Sequence, residues 1–146
     1  MKKISFLFFV MITPLLMLAQ DDANDVTGIW YNEEKDARFE IYGDGGEYFA
    51  KIVWLEEPID PETGEPKLDD ENPDEDKQNR PLKGLVFMKN FVFEGDGLWE
   101  DGEIYDPKSG KTYDCYIKME SPDKLKVRGY IGISLIGRTS YWTRAK

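Results

Sequence analysis

Residues 37–55 read ARFEIYGDGGEYFAKIVWL. In the first six residues Phe39 and Ile41 alternate with Arg38 and Glu40, the two-residue period of a strand with one buried face. Gly43-Asp44-Gly45-Gly46 then supplies the positive backbone φ angles that tight hairpin turns need. Glu47–Leu55 runs out as a long second strand, with Tyr48, Ala50, Ile52 and Trp54 on one face and Phe49, Val53 and Leu55 on the other. One short hairpin of this kind sets the pattern for the rest of the chain.

Working outward, VTGIWY (26–31) predicts a strand before the hairpin. After it, GLVFMKNFVF (84–93), LWEDGEIYD (98–106), KTYDCYIKM (111–119), LKVRGYIGI (125–133) and RTSYWTRA (138–145) each read as strands. Most are joined by turns as short as EGDG (94–97) and SPD (121–123). Eight strands linked neighbour to neighbour predict an all-β fold, a small up-and-down antiparallel β-barrel. Closure of that kind also removes the exposed sheet edges. Gly28, Gly102, Gly129 and Gly132 inside or at the end of strand runs permit the coiling a small barrel needs, and Gly102 is placed at a bulge.

The ends and composition bound what such a barrel can do. Lys2 and Lys3 precede an apolar run from Ile4 to Ala19, which reads as a signal peptide over residues 1–20. Residues 21–146 then form a single domain with no integral membrane span, placed in the periplasm or secreted. Loss of two lysines takes the formal net charge from -10 to about -12, a balance that argues against binding nucleic acid or anionic lipid. The chain has one cysteine, Cys115, and no histidine. Intramolecular disulfides, Ser-His-Asp and Cys-His catalysis and His-ligated metal centres are thereby excluded. No cofactor is expected.

YDPKSGKTY (105–113) carries a GKT, yet the position five residues before Gly110 is Tyr105 rather than glycine, and a strand follows instead of a helix. Asp106-Pro-Lys-Ser-Gly110 instead repeats the pattern of Asp60-Pro-Glu-Thr-Gly64. In both, aspartate caps a turn, proline fixes φ and glycine ends it. The first copy opens a Pro-rich loop, 56–83, with 11 acids and one base between Glu56 and Asp76. Its oxygen donors make Asp69, Asp70, Asn72 and Asp74 weak calcium candidates, though the EF-hand spacing is missing. A short helical turn is expected after Pro73.

Three constellations remain. Gly28-Ile29-Trp30 lies on the first strand and Arg144 on the last, which closure brings together. The guanidinium is then expected to stack on the indole and plug one barrel end. Trp54, Trp99, Tyr113, Tyr130 and Trp142, with Arg128 and Arg138 for an anionic head group, could line an interior ligand pocket; a barrel this small can equally be filled by its own side chains. Glu100, Asp101, Glu103 and Asp106 offer carboxylates for a hydrolase, if two face each other across a cleft. The apolar ISLIG (133–137) stands apart as a hairpin end that could touch a membrane, a partner or a ligand portal.

A Gly-x-Trp opening strand with a late arginine resembles the calycin superfamily of lipocalins, fatty-acid-binding proteins and avidins. DVTGIW, KIVWL, DPETGEPKLDDENPD, RPLKGL, DGEIYDPKSGKTY and LKVRGYIGISLIGRTSYWTR together resemble the bacterial envelope family known as domain of unknown function 2147, over residues 24–146. The resemblance implies a secreted or periplasmic calycin-like barrel and carries no activity. The expected function is non-enzymatic binding of a small apolar or amphipathic ligand or of an envelope partner. The alternatives are a structural or stress-related protein with a filled barrel, and a histidine-free carboxylate hydrolase.

Overall fold

In the computed structural model, which describes residues 22–146, eight antiparallel strands close into a barrel in sequence order. They are β1 (Gly28–Tyr31), β2 (Ala37–Asp44), β3 (Glu47–Leu55), β4 (Val86–Gly95), β5 (Leu98–Asp106), β6 (Lys111–Ser121), β7 (Lys124–Tyr130) and β8 (Gly137–Arg144). The expected signal peptide lies outside the described residues. Among those described, no helix is long and apolar enough to cross a membrane.

The 37–55 hairpin forms with the alternation its sequence dictates. Ala37, Phe39 and Ile41 are buried on β2, and Tyr48, Ala50 and Ile52 on β3. The period breaks once. Arg38 pairs with Trp54 but Phe39 pairs with Ile52, so an extra residue bulges on β3. Beyond it Leu55 rejoins the inner face opposite Ala37, and Trp54 turns outward beside Arg38. A second bulge lies at Gly102. Trp99 pairs with Ile117 and Gly102 with Cys115, which leaves one residue too many on β5. Both Trp99 and Gly102 therefore face inward, and a Cβ at Gly102 would overlap the Phe91 ring.

Two differences from the sequence reading concern strand ends. Val26 does not start β1; it ends a 3-10 turn, Ala23–Val26, whose N-cap Asp22 accepts from the Asn24 amide. Ile131–Ile136 do not extend β7; they form the β7–β8 hairpin end. The expected turn after Pro73 is present as Glu75–Lys77.

The 3-10 turn stoppers the end of the barrel that carries both β1's start and β8's finish. Trp30 Nε1 donates to the Val26 carbonyl at 2.9 Å and Trp99 Nε1 to the Ala23 carbonyl at 3.1 Å. Both indoles are fully buried, so these bonds satisfy donors that would otherwise cost free energy in the core.

Candidate functional site

Arg144 meets Trp30 as closure requires. Its guanidinium lies 4.2 Å from the indole centroid and donates to the carbonyls of Thr27, Asp25 and Pro122, each at 2.9 Å. A planar fork reaching three carbonyls ties the segment before β1 and the end of β8 to the β6–β7 turn. Gly28 makes room for it: at φ +128° the backbone disfavours other residues, and a Cβ would sit 2.8 Å from Arg144 Nη1.

The interior above this stopper is packed with aromatic side chains. Phe39 packs at 4.6 Å on Phe87 and 4.7 Å on Trp142, and Phe93 at 4.9 Å on Trp99. Of the expected pocket residues, Trp99 and Trp142 are core side chains packed in these clusters. Tyr113 shares the inward phase of Cys115 at the far end of β6, and Arg138 that of Trp142 on β8, where it is exposed. The other three lie outside. Tyr130 and Arg128 alternate against the buried Val127 and Leu125, and the β3 bulge turns Trp54 out. There Arg38 sits 4.8 Å from both the Tyr31 and Trp54 ring centroids. The seven residues therefore do not line one space.

Two concavities open to solvent on the β4–β7 side of the barrel. A groove of about 300 Å³ runs past Glu103, Asp114 and Ile131 and brings together two of the expected residues, Tyr113 and Tyr130. A second, of about 250 Å³, lies between the acidic loop and β4–β6, sharing Glu103 and Thr112 with the first. Burial, and then the Asp114 carboxylate, holds the Tyr130 phenol above its usual range. A straight strand predicts Glu100 with Asp106 on one face and Asp101 with Glu103 on the other; the Gly102 bulge instead puts Glu100 and Glu103 on the same outer face. Glu100 pairs with Val92, and Glu103 with Lys89 and Asp114. None of Glu100, Asp101, Glu103 and Asp106 is buried.

The acidic loop is organised by one fully buried carboxylate. Asp69 accepts from Tyr105 Oη at 2.6 Å, Asn72 Nδ2 at 2.8 Å and Arg80 Nη2 at 3.1 Å. Burial and then the bond to Asp69 push the Tyr105 hydroxyl up to about 12. Asn72 Oδ1 accepts from the Asp74 amide and Asp74 Oδ1 from the Asp76 amide, while Asp70 is exposed. Three of the four calcium candidates, Asp69, Asn72 and Asp74, are thus already engaged as hydrogen-bond acceptors, Asp69 by an arginine among others. Among the described residues no three Cys, Asp or Glu side chains are grouped to hold a metal. Sequence reading missed this hub because its partners lie 3, 11 and 36 residues away. The two DPxxG turns do close as expected. Gly64 and Gly110, at φ +70° and +72°, each donate to the aspartate carbonyl four residues back at 2.8 Å.

The remaining feature is the β7–β8 hairpin end. Ile131, Ile133, Leu135 and Ile136 are 65, 57, 86 and 64% exposed. The loop is braced from below: Arg128 Nε donates to the Ser134 carbonyl at 2.7 Å and Nη1 to Thr139 Oγ1 at 2.8 Å. Four aliphatic side chains are therefore held out to solvent on a fixed backbone.

The chain is similar to HP1028 of the human pathogen Helicobacter pylori, described as belonging to the lipocalin family. The two are 24% identical over 82% of each chain, with a TM-score of 0.71, a likeness of fold. No protein of curated function matches the chain. The profile of one family spans β1 to the end of β8, residues 28–144, and the chain accordingly belongs to DUF2147, a family of uncharacterized proteins conserved in bacteria.

Proposed function

We propose that this is a non-enzymatic binding protein of the bacterial envelope, acting in the periplasm or outside the cell. It engages a partner from outside, through the β7–β8 hairpin end, instead of enclosing a small ligand. The lipocalin-like fold is consistent with binding. What carries the choice is the combination of a barrel filled by Phe39, Phe87, Trp99 and Trp142 with four solvent-facing aliphatic residues on one braced loop. Contiguous exposed apolar surface on a soluble domain marks a contact site. Covering those four side chains, already partly buried, contributes roughly 4–8 kcal/mol in total. Association costs about as much, so the loop alone supports only weak binding and a second contact must add to it.

The test is native mass spectrometry of the protein taken from its own envelope, with cross-linking before extraction. The expected result is a barrel free of small-molecule mass, with cross-links concentrated around 130–141 and lost in a Leu135→Ser/Ile136→Ser variant. A stoichiometric apolar ligand retained by the isolated barrel would overturn the reading.

A further inference from the structure

The barrel's closing seam is shorter than the strands that form it. β8 has eight residues and β1 four, and only two pairs join them, Trp30↔Arg144 and Tyr31↔Thr143. The direction of β8's backbone groups follows from two bonds at its end. The Arg144 amide donates to the Asp123 carbonyl on the β7 side, and the Ala145 amide to the Ile29 carbonyl on the β1 side. Along a strand these directions alternate. Thr143, Tyr141 and Thr139 thus present N–H and C=O toward β1. Thr143 meets Tyr31 there. The chain then leaves: the Asn32 amide turns to the Ala37 carbonyl across the β1–β2 turn. Among the described residues, the β1-side backbone groups of Tyr141 and Thr139 have no backbone partner.

This edge lacks two of the usual protections, a proline and a bulge. β8 contains no proline, and its register with β7 is unbroken from Lys124↔Thr143 to Tyr130↔Gly137. Tyr141 is 38% exposed. The wall beside it is basic in a chain of formal net charge -10. The outward residues of β7 are Lys124, Lys126, Arg128 and Tyr130, and those of β8 are Gly137, Thr139, Tyr141 and Thr143, with no acid among them. Lys124 Nζ lies 4.8 Å from the Tyr141 ring centroid, and Lys126 Nζ lies 5.8 Å from that of Tyr116 on β6.

We infer that the free edge of β8 pairs with an extended, acidic strand of the partner, a reading that rests on the proposed role of the adjoining hairpin and names the class of partner. Alternating donors and acceptors at the two-residue repeat of a strand match a polypeptide backbone; a lipid head group or a phosphate chain offers no such alternation. Lys124, whose ammonium lies over Tyr141 on β8 itself, is the cation nearest the edge and, with Lys126 and Arg128 on the same outer face, favours carboxylates on the incoming strand. A second copy of β8 would instead bring another Lys/Arg wall against this one.

The test uses the full chain and two blocked eight-residue peptides, one alternating valine with glutamate and one alternating valine with lysine. Amide exchange of Thr139 and Tyr141 is read by NMR. The Val/Glu peptide is expected to slow both amides at least tenfold at saturation, with binding weakened by added salt, and the Val/Lys peptide to leave them unchanged. Tyr141→Pro removes an edge N–H that β7 does not use, and is expected to weaken binding at least tenfold with the unfolding midpoint retained. Thr139→Pro is the equivalent change should Tyr141→Pro fail to fold, and the exchange readout on the unaltered chain stands without either. Equal protection by both peptides, no protection by the acidic one, or protection that appears with protein concentration alone would overturn the inference. The Leu135→Ser/Ile136→Ser variant separates the two readings: it is expected to keep peptide protection at Thr139 and Tyr141 even if the hairpin contact proves unimportant.

Discussion

Asp69→Ala tests whether one buried carboxylate holds the 56–85 connection against the barrel. Asp69 accepts from Tyr105 and Asn72 in a site closed to solvent, and hydrogen bonds to an ionised acceptor contribute about 1.5–3 kcal/mol each. The third partner, Arg80, has a side chain 44% exposed, so screening limits that pair to roughly 0.5 kcal/mol. Allowing for non-additivity, the substitution is expected to cost about 3–5 kcal/mol. A domain with ordinary stability of about 5–15 kcal/mol remains folded, and the loss appears first as local opening. The assay pairs urea unfolding, followed by the fluorescence of buried Trp30 and Trp99, with amide exchange. The amides of Asp69 and Leu82 donate to Arg80 and Lys67 across the loop. Each should exchange about a hundredfold faster or more, since 1.4 kcal/mol is a factor of ten, while β6 amides change far less. Tyr105→Phe alone is expected to cost about 1.5–3 kcal/mol, and almost nothing once Asp69 is gone. An Asp69→Ala loss below about 1 kcal/mol with unchanged loop exchange, or full additivity with Tyr105→Phe, would refute the reasoning.

Arg144→Lys keeps the charge but loses the fork to Asp25, Thr27 and Pro122; equilibrium unfolding should show a loss of about 2–3 kcal/mol, and a neutral result would show that the stopper does not depend on it. Gly28→Ala strains the same site from the other side, with an expected loss of about 1–3 kcal/mol in the same assay. Tyr105 supplies a pH dependence. Its folded value is raised from 10.0 to about 12, so its contribution is fully present below pH 10, falls as the unfolded phenol ionises and is lost by about pH 12. Tyr105→Phe should remove that part of the alkaline decline in a pH series of unfolding midpoints, and an unchanged decline would show that Tyr105 does not cause it.

Strand phases were legible wherever the alternation was unbroken. Phe39, Ile41, Cys115, Ile117, Leu125 and Val127 all face inward as their spacing requires. The same rule puts Arg128 and Tyr130 outside, opposite Leu125 and Val127, so placing them in a pocket goes against their own alternation; the remaining phase changes sit at irregularities of one residue. The β3 bulge turns Trp54 outward, and the β5 bulge puts Trp99 and Gly102 on the same face. A bulge is chosen by packing against neighbouring strands, and local periodicity cannot reveal it. The Asp69 hub was hidden for a related reason: Tyr105, Asn72 and Arg80 become partners only after the loop has folded back.

By itself, the sequence determined the number of strands, their antiparallel order, the DPxxG turns and the meeting of Trp30 with Arg144. The first three follow from side-chain period and turn chemistry, which act between neighbours along the chain; the last follows from the need to remove sheet edges, which brings the first and last strands together. Only the tertiary structure decided that aromatic side chains from several strands pack across the interior, that Trp54 stands outside, and that the seam leaves Thr139 and Tyr141 without a backbone partner on the β1 side. Those outcomes depend on how side-chain volumes from all eight strands divide one closed space, and on where one strand parts from its neighbour, quantities that no single stretch of sequence contains.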